Sequence, residues 1–310
     1  MNKLEYEICE VEEVCDLGVI DDYVFDVEMS ETPHTFFAND ILIHNSLYVK
    51  FPKNIYNSGI DNMLEFSTNI ERIVNDSLLL FSGQSLNSPK NYLEYSREKI
   101  CKTGFWTDVK KRYALYVIND EGKECDDIKI MGLDVKKSSF PEKFKDIMFN
   151  VLDMILKNSK QEDIDSYLKE SKQSVMDYSV YEVAKISSVK TIDEYRTHIT
   201  GLNNFKTGVP QNTRAAFIYN QLLDKFNCPN KYSAIKVGDK VKMVYLLDNP
   251  FRIDMIAFKQ DDNPKEIMDY IEKYADKNKM YDRELGKKLQ SFYEHLDWGT
   301  VGSSLTRTFF

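Results

Sequence analysis

The first 45 residues carry one basic side chain, Lys3, against twelve acidic ones, and no apolar pattern of helix length. A secretory leader opens on basic residues, so this stretch does not read as one. No apolar run anywhere in the chain approaches the roughly 20 residues of a membrane span, and no membrane is expected among its partners. Cysteine is sparse: five residues, at positions 9, 15, 101, 125 and 228, without a C-x-x-C pair. An odd, scattered set argues against a disulfide framework or a zinc site and for free thiols in a reducing compartment. The cytosol is the expected location.

What is present divides unevenly. The net charge of −9 splits into −11 over residues 1–45 and +2 over the remainder, where 40 basic residues face 38 acidic ones. An acidic leader on a near-neutral body fits docking with a basic partner, or a solubilising tail. With 310 residues, 42% of them apolar, the chain can bury substantial cores, and about two domains are expected. Within the leader, Leu4–Val11, Glu13–Val19, Tyr23–Met29, Thr35–Phe37 and Ile41–Ile43 read as short strands separated by acidic or Asn-containing turns. So short a set of strands cannot close a core alone, so the leader is expected to stay mostly unordered until a partner completes it.

Residues 46–134 mix strand and helix. Leu47–Phe51, Gly104–Trp106, Arg112–Ile118 and Ile128–Met131 read as strands, Met63–Leu80 as a helix and Asp120-Glu121-Gly122-Lys123 as a turn, an α+β pattern with antiparallel strands. From about residue 135 helices dominate. Pro141 suits a first helical turn, and Phe144, Ile147, Met148, Val151, Leu152 and Ile155 follow at helical spacing. Arg214–Phe226 and Tyr281–Tyr293 read as further helices. Between them Val241, Met243 and Tyr245 alternate with Lys240 and Lys242 after Gly238-Asp239, which reads as a small β-hairpin. The tail Gly299–Phe310 is small and polar, then abruptly aromatic. Four segments result: 1–45, 46–134, 135–298 and 299–310.

The run Ile41-Leu42-Ile43-His44-Asn45-Ser46 holds the groups needed to break a peptide bond from within. The Asn45 side-chain amide can attack its own carbonyl carbon, closing a succinimide and releasing the amine of Ser46. His44 adjoins that carbonyl and His34 lies one strand connection away; both titrate in the range useful for proton transfer at neutral pH. Ser46 offers a hydroxyl that can take an acyl group and hold it as an ester. Each histidine alone fits an ordinary buried strand. The four groups together are far more specific.

Val24-Phe25-Asp26-Val27-Glu28, followed by Pro33-His34-Thr35-Phe36-Phe37-Ala38-Asn39-Asp40 and the run ending in Ser46, resembles the two C-terminal motifs of inteins. The resemblance implies an all-β Hint fold of which residues 1–45 are the C-terminal piece. It implies Asp26 and His34 as the acid and histidine of the penultimate block, His44 as the penultimate histidine, Asn45 as the cyclising residue and Ser46 as the first extein residue. A Hint fold needs well over 45 residues and the chain opens with Met1, so the N-terminal intein piece is expected on a separate polypeptide. That piece should be net basic to match the acidic leader. Splicing of this kind needs no cofactor.

Further on, Lys110, Lys111 and Arg112 cluster at the start of a strand, with Tyr113 as a flat hydrogen-bond donor. The set suits holding a duplex through phosphates and minor-groove acceptors without reading sequence, or a solvated basic turn. The segment Gly104-Phe105-Trp106-Thr107-Asp108-Val109-Lys110-Lys111-Arg112-Tyr113-Ala114-Leu115, with Ile130-Met131-Gly132-Leu133-Asp134-Val135-Lys136-Lys137-Ser138-Ser139, resembles the K-x-Y element and palm–thumb junction of phage replicative family B DNA polymerases. Ser46-Leu47-Tyr48-Val49 is similar to the second half of that family's Asp-Thr-Asp-Ser motif. Residues 208–220 and 240–251 resemble its thumb, and the likeness covers most of 46–310.

The resemblance implies that Lys111 and Tyr113 contact primer–template DNA, with Lys110, Arg112, Lys136, Lys137 and Arg214 also on the duplex. It implies Mg2+ and dNTPs for the assembled enzyme, with the metal-binding aspartates on the missing chain, whose extein should end Asp-Thr-Asp. Glu98 matches a carboxylate near the metals, although a surface ion pair fits it equally. The connection from Glu98 to Gly104 is shorter than in the phage enzymes, as if a palm-edge loop were deleted. Leu305, Phe309 and Phe310 resemble the closing peptides that dock a sliding clamp; a tail folded back on the thumb is the alternative.

The leading expectation is therefore a multidomain trans-splicing precursor in phage or host cytosol. It comprises a partial Hint fragment, an α+β palm remainder, a mainly helical thumb with a small β-hairpin, and a tail. The alternatives are a DNA- and clamp-binding subunit of a noncovalently assembled two-chain polymerase carrying an inactive intein remnant, and a Hint-type domain that only cleaves.

Overall fold

The computed structural model describes residues 24–28, 35–38, 41–44, 48–84, 90–91, 94–198, 201–202, 204–226, 228 and 231–304. They form a mixed α/β chain of small antiparallel sheets and helices, divided into two units at Asp127 and Ile128. The expected strands over 4–11 and 13–19 lie outside the described residues.

In the first unit, β1 (Val24–Glu28), the hairpin of β2 (Thr35–Ala38) and β3 (Ile41–His44), and β4 (Val49–Lys50) precede two helices, α1 (Lys53–Tyr56) and α2 (Ile60–Gln84). Then come β5 (Ser96–Trp106), β6 (Tyr113–Asp120) and β7 (Lys123–Met131), the last carrying the chain into the second unit. The main sheet has the order β4-β1-β5-β6-β7. α2 repeats Ile60, Met63, Leu64, Ser67, Ile70, Val74 and Leu78 at helical spacing, and that face meets Phe51, Tyr95 and Ile100 in one core. Asn75 bolts the helix to the sheet: it donates to the Tyr95 carbonyl and accepts from the Tyr95 amide, both at 2.8 Å. Cys101, the neighbour of Ile100, points into a second cluster with Leu115 and Val117, as period-two alternation requires.

One expectation shifts here: among the described residues, the strand expected over 47–51 is assigned at Val49–Lys50. Glu98 and Gly104 lie on one continuous strand, β5.

The second unit contains α3 (Glu142–Leu156), α4 (Gln161–Ser174), α5 (Val180–Val183), β8 (Lys185–Ser188), α6 (Gln211–Lys225), β9 (Lys240–Tyr245) and β10 (Met255–Phe258). It continues through α7 (Lys265–Tyr274), α8 (Lys277–Met280), a π-helical turn Tyr281–Gly286 and α9 (Lys287–His295). The six apolar residues expected on one face of α3 are all buried. Pro141 is the residue before that helix, where its fixed φ still suits the start, and is not in the first turn. The expected hairpin is a three-stranded antiparallel sheet, β10-β9-β8. β10 is buried along its whole length under α6, so it shows no alternation and gave no strand signal. The helix expected over Tyr281–Tyr293 begins as the π turn before α9.

Candidate functional site

The basic cluster sits on the turn between β5 and β6. The Thr107 amide donates to the Arg112 carbonyl at 3.1 Å, closing the turn, and Lys111 takes a left-handed backbone, φ 63°. Lysine adopts that region at a cost, so the turn spends about 1 kcal/mol or more on the bend that presents Lys110 and Lys111 to solvent. Arg112 and Tyr113 are half-buried, and Tyr113 pairs across the ladder with Trp106. Tyr48, two residues beyond Ser46, packs edge-on against both rings, 5.6 Å from Trp106 and 5.8 Å from Tyr113. The segment that follows Asn45–Ser46 is thereby fixed to the base of the basic turn.

Gly104 makes this arrangement possible. The Trp106 ring folds back over it, and a Cβ at that position would lie inside contact distance of the ring and 2.9 Å from Leu115 Cδ2. Gly104→Ala is expected to push Trp106 off Tyr48 and cost about 1–3 kcal/mol of stability. Thermal unfolding would read the loss, and near-UV circular dichroism the changed Trp106 environment. An unchanged melting temperature and aromatic spectrum would refute this account.

Glu98 is engaged in an ion pair. Lys99 Nζ lies 3.0 Å from the Glu98 carboxylate and 2.5 Å from that of Asp120. Burial pulls the Lys99 pKa down, but the hydrogen-bonded carboxylates of Asp120 and Glu98 outweigh it and hold the ammonium above its ordinary range. Among the described residues no three His, Cys, Asp or Glu side chains converge on a metal position.

In the second unit Asp134 lies buried between Lys137, at 2.8 Å, and Lys288, at 2.9 Å. Burial pushes its carboxyl pKa up, but the two lysines more than reverse this and hold it below the usual range. Lys137 is thus paired with the fold, although like Lys136 it is exposed. Arg214, in the first turn of α6, stacks its guanidinium over Phe205, 5.9 Å from the ring centre.

A further polar centre had no signal in the sequence. Asp165 on α4, 1% exposed, accepts from the Tyr293 hydroxyl at 2.6 Å, the Gly302 amide at 2.7 Å, the Ser304 amide at 3.1 Å and the Ser304 hydroxyl. One turn earlier Gln161 donates to the Trp298 carbonyl at 3.2 Å and Ser303 Oγ at 3.1 Å. The chain is anchored as far as Ser304; Leu305, Phe309 and Phe310 lie outside the described residues.

So do His34, Asn45 and Ser46. Asp26 falls on β1, and His44 ends β3. The β2–β3 hairpin pairs Thr35, the chain neighbour of His34, with His44, the chain neighbour of Asn45.

No family model matches the chain. In an alignment of 274 positions that covers 81% of the chain, it is 26% identical to the DNA-directed DNA polymerase of Enterobacteria phage T4. Over 160 residues it is 30% identical to a DNA polymerase of Thermococcus sp. (strain GE8) and 31% identical to that of Thermococcus litoralis, covering 52% and 51% of the chain. These matches take in 29% of the phage protein and 8% of each Thermococcus protein, so the chain spans under a third of the curated relatives it matches. Its relatives are DNA polymerases, similar to it over part of its length.

Proposed function

We propose that this chain trans-splices with a separate polypeptide carrying the remainder of a family B DNA polymerase and an N-terminal intein piece. The ligated product is then a DNA-directed DNA polymerase. The reading rests on one constellation: His34, His44, Asn45 and Ser46 in the order splicing needs. The β2–β3 register, which brings the neighbours of His34 and Asn45 together, supports it. The similarity to DNA polymerases over most of the chain supports the second half.

The steps balance without oxidant, nucleotide or metal. The partner's first intein residue attacks the carbonyl before it, turning that amide into an ester or thioester. Ser46 Oγ attacks the same carbonyl and displaces the partner's oxygen or sulfur, leaving an ester on Ser46. The Asn45 amide nitrogen attacks its own carbonyl; the Asn45–Ser46 bond breaks, a succinimide closes, and the departing amine takes a proton that His44 can supply. That amine then attacks the ester, giving an ordinary peptide bond and returning the Ser46 hydroxyl.

In the product this chain supplies the duplex-holding side: Lys110, Lys111, Arg112 and Tyr113 on the β5–β6 turn, with Lys136, Lys137 and Arg214 as further phosphate contacts. The metal-binding carboxylates belong to the partner, whose extein ends Asp-Thr-Asp, and no step on this chain runs through Mg2+. Glu98 stands as a supporting carboxylate, dNTPs and primer–template as substrates, and Leu305, Phe309 and Phe310 as the clamp-binding tail. The setting is phage or host cytosol, and the partner's intein piece is basic.

Intact mass after mixing the two chains tests the proposal. A product carrying 46–310 and lacking 1–45 is expected. Binding with no change at either junction would sink splicing and leave a noncovalent two-chain polymerase. In the product, Lys111→Ala should weaken primer–template binding at every sequence and lower the slope of log affinity against log salt by about 1. An unchanged slope in anisotropy titrations would remove Lys111 from the phosphate contacts.

A further inference from the structure

The main sheet of the first unit includes a strand that splicing would take away. β1 belongs to residues 1–45, yet it lies between β4 and β5, which remain. On one edge Val24 and Phe25 pair with Lys50 and Val49; on the other Val24, Phe25 and Asp26 pair with Cys101, Ile100 and Lys99. The register then slips, and Val27 and Glu28 pair with Arg97 and Ser96. Strands in a sheet stand about 4.8 Å apart, so removing β1 leaves β4 and β5 roughly 10 Å apart with facing backbone groups unpaired. The gap opens beside Ile100 and Cys101, both fully buried.

We propose that β1 is a stand-in strand, holding the slot between β4 and β5 until an extended segment of the splicing partner displaces it. The inference rests on the splicing reading and names the surface the partner must occupy. Three features carry it. Direction comes first: β1 is antiparallel to β4, and a strand joined by its C-terminal end to Ser46 through a short turn would also run antiparallel to β4. Fit comes second: β1 pairs with β4 over two residues only and slips against β5, a partial match that a better strand can replace. Tethering comes third: once ligation has joined it to Ser46 by a turn, the newcomer holds the slot against β1, which is tied to β4 only through about 20 residues.

A consequence for timing follows. β5 pairs one edge of β1 from Val24 to Glu28 and β4 takes the other at Val24 and Phe25, so the N-terminal intein piece cannot pair along the full length of either edge of β1 while the strand sits in the sheet. Asp26, assigned to splicing, is held on that strand. Filling the slot with the partner's polymerase strand releases β1 for the intein, coupling the joining reaction to correct docking of what is being joined.

Val24 pairs directly with the native Cys101, and directly opposed residues share a face of the sheet. Val24→Cys in the full chain should therefore form a disulfide between positions 24 and 101 when treated with a mild disulfide oxidant, identified by peptide mapping. Mixed with the N-terminal chain, the oxidised variant should splice at least tenfold more slowly than the same variant reduced, and reductant should restore the rate. If position 24 cross-links elsewhere or not at all, β1 does not hold the slot. If the oxidised variant splices as fast as the reduced one, displacement is not required. Failure of the reduced variant and the unaltered chain alike to splice removes the splicing reading, while the cross-link still reports on the slot. As a second measure independent of the introduced thiol, Val27→Pro should speed amide hydrogen exchange at 97–101 and leave 113–117 unchanged. Equal protection at 97–101 in both chains overturns the proposal.

Discussion

An Asn45→Ala chain mixed with the N-terminal polymerase chain is expected to accumulate a branched species and release no leader. Alanine has no side-chain nitrogen, so the succinimide cannot close and the 45–46 bond stays intact. Ser46 keeps its hydroxyl and still captures the incoming acyl group. The stalled product carries the upstream polymerase segment as an ester on Ser46, with residues 1–45 still attached; hydroxylamine should cleave it, which an amide would survive. A well-placed intramolecular nucleophile is worth effective molarities on the order of 10⁵ M or more, so leader release should drop below detection. His44→Ala removes only the proton donor and should slow release by about 10²–10⁴-fold. Ser46→Ala inverts the pattern: no branch forms, yet the leader is still cut off. Release of residues 1–45 from Asn45→Ala at the unaltered rate would overturn cyclisation as the cleaving step.

Asp165→Ala is expected to cost the second unit about 3–5 kcal/mol, the range for removing one partner from a buried, fully engaged charged group. The carboxylate is 1% exposed and gathers donors from Tyr293, Gly302 and Ser304. Alanine strands the Tyr293 and Ser304 donors away from water and leaves a hole at the helix face. Asp165→Asn keeps one acceptor oxygen and nearly the same volume, so its cost should be smaller, about 1–3 kcal/mol. Denaturant titration measures both. Limited proteolysis should show the chain opening around Trp298–Ser304 in the alanine variant first. A loss within 0.5 kcal/mol for Asp165→Ala would show that the cluster is ornamental.

The parts of this molecule legible in its sequence are those whose signal is local. The buried stripe from Phe144 to Ile155 announces α3 because one side of a helix repeats every three to four residues. Lys110, Lys111 and Arg112 stand out as charge alone. Asp165 does not: in Gln161-Glu162-Asp163-Ile164-Asp165 it looks like one more solvated acid, and its partners lie 128 to 139 residues away. The same limit hides Tyr48, whose contact with Trp106 and Tyr113 depends on how strands align. β1 lies at the boundary between the two cases. Val24-Phe25-Asp26-Val27-Glu28 reads as a strand on composition, yet nothing local says that β4 and β5 are its neighbours. Of the splicing residues, order along the chain gave the reading; among the described residues only the pairing of Thr35 with His44 adds to it.

The left-handed backbone at Lys111 sets two selective pressures against each other. Glycine or asparagine would relax the bend and raise stability by about 1 kcal/mol. Either would also delete the cation. A directed-evolution screen that scores only folding or heat resistance should therefore discard Lys111 early, returning a sturdier protein that, on the proposed function, holds DNA less tightly. A screen that scores primer extension should keep the strained lysine and gather its stability elsewhere. Sequenced side by side, the two selected libraries would show at this one position whether the bend exists for the charge it carries.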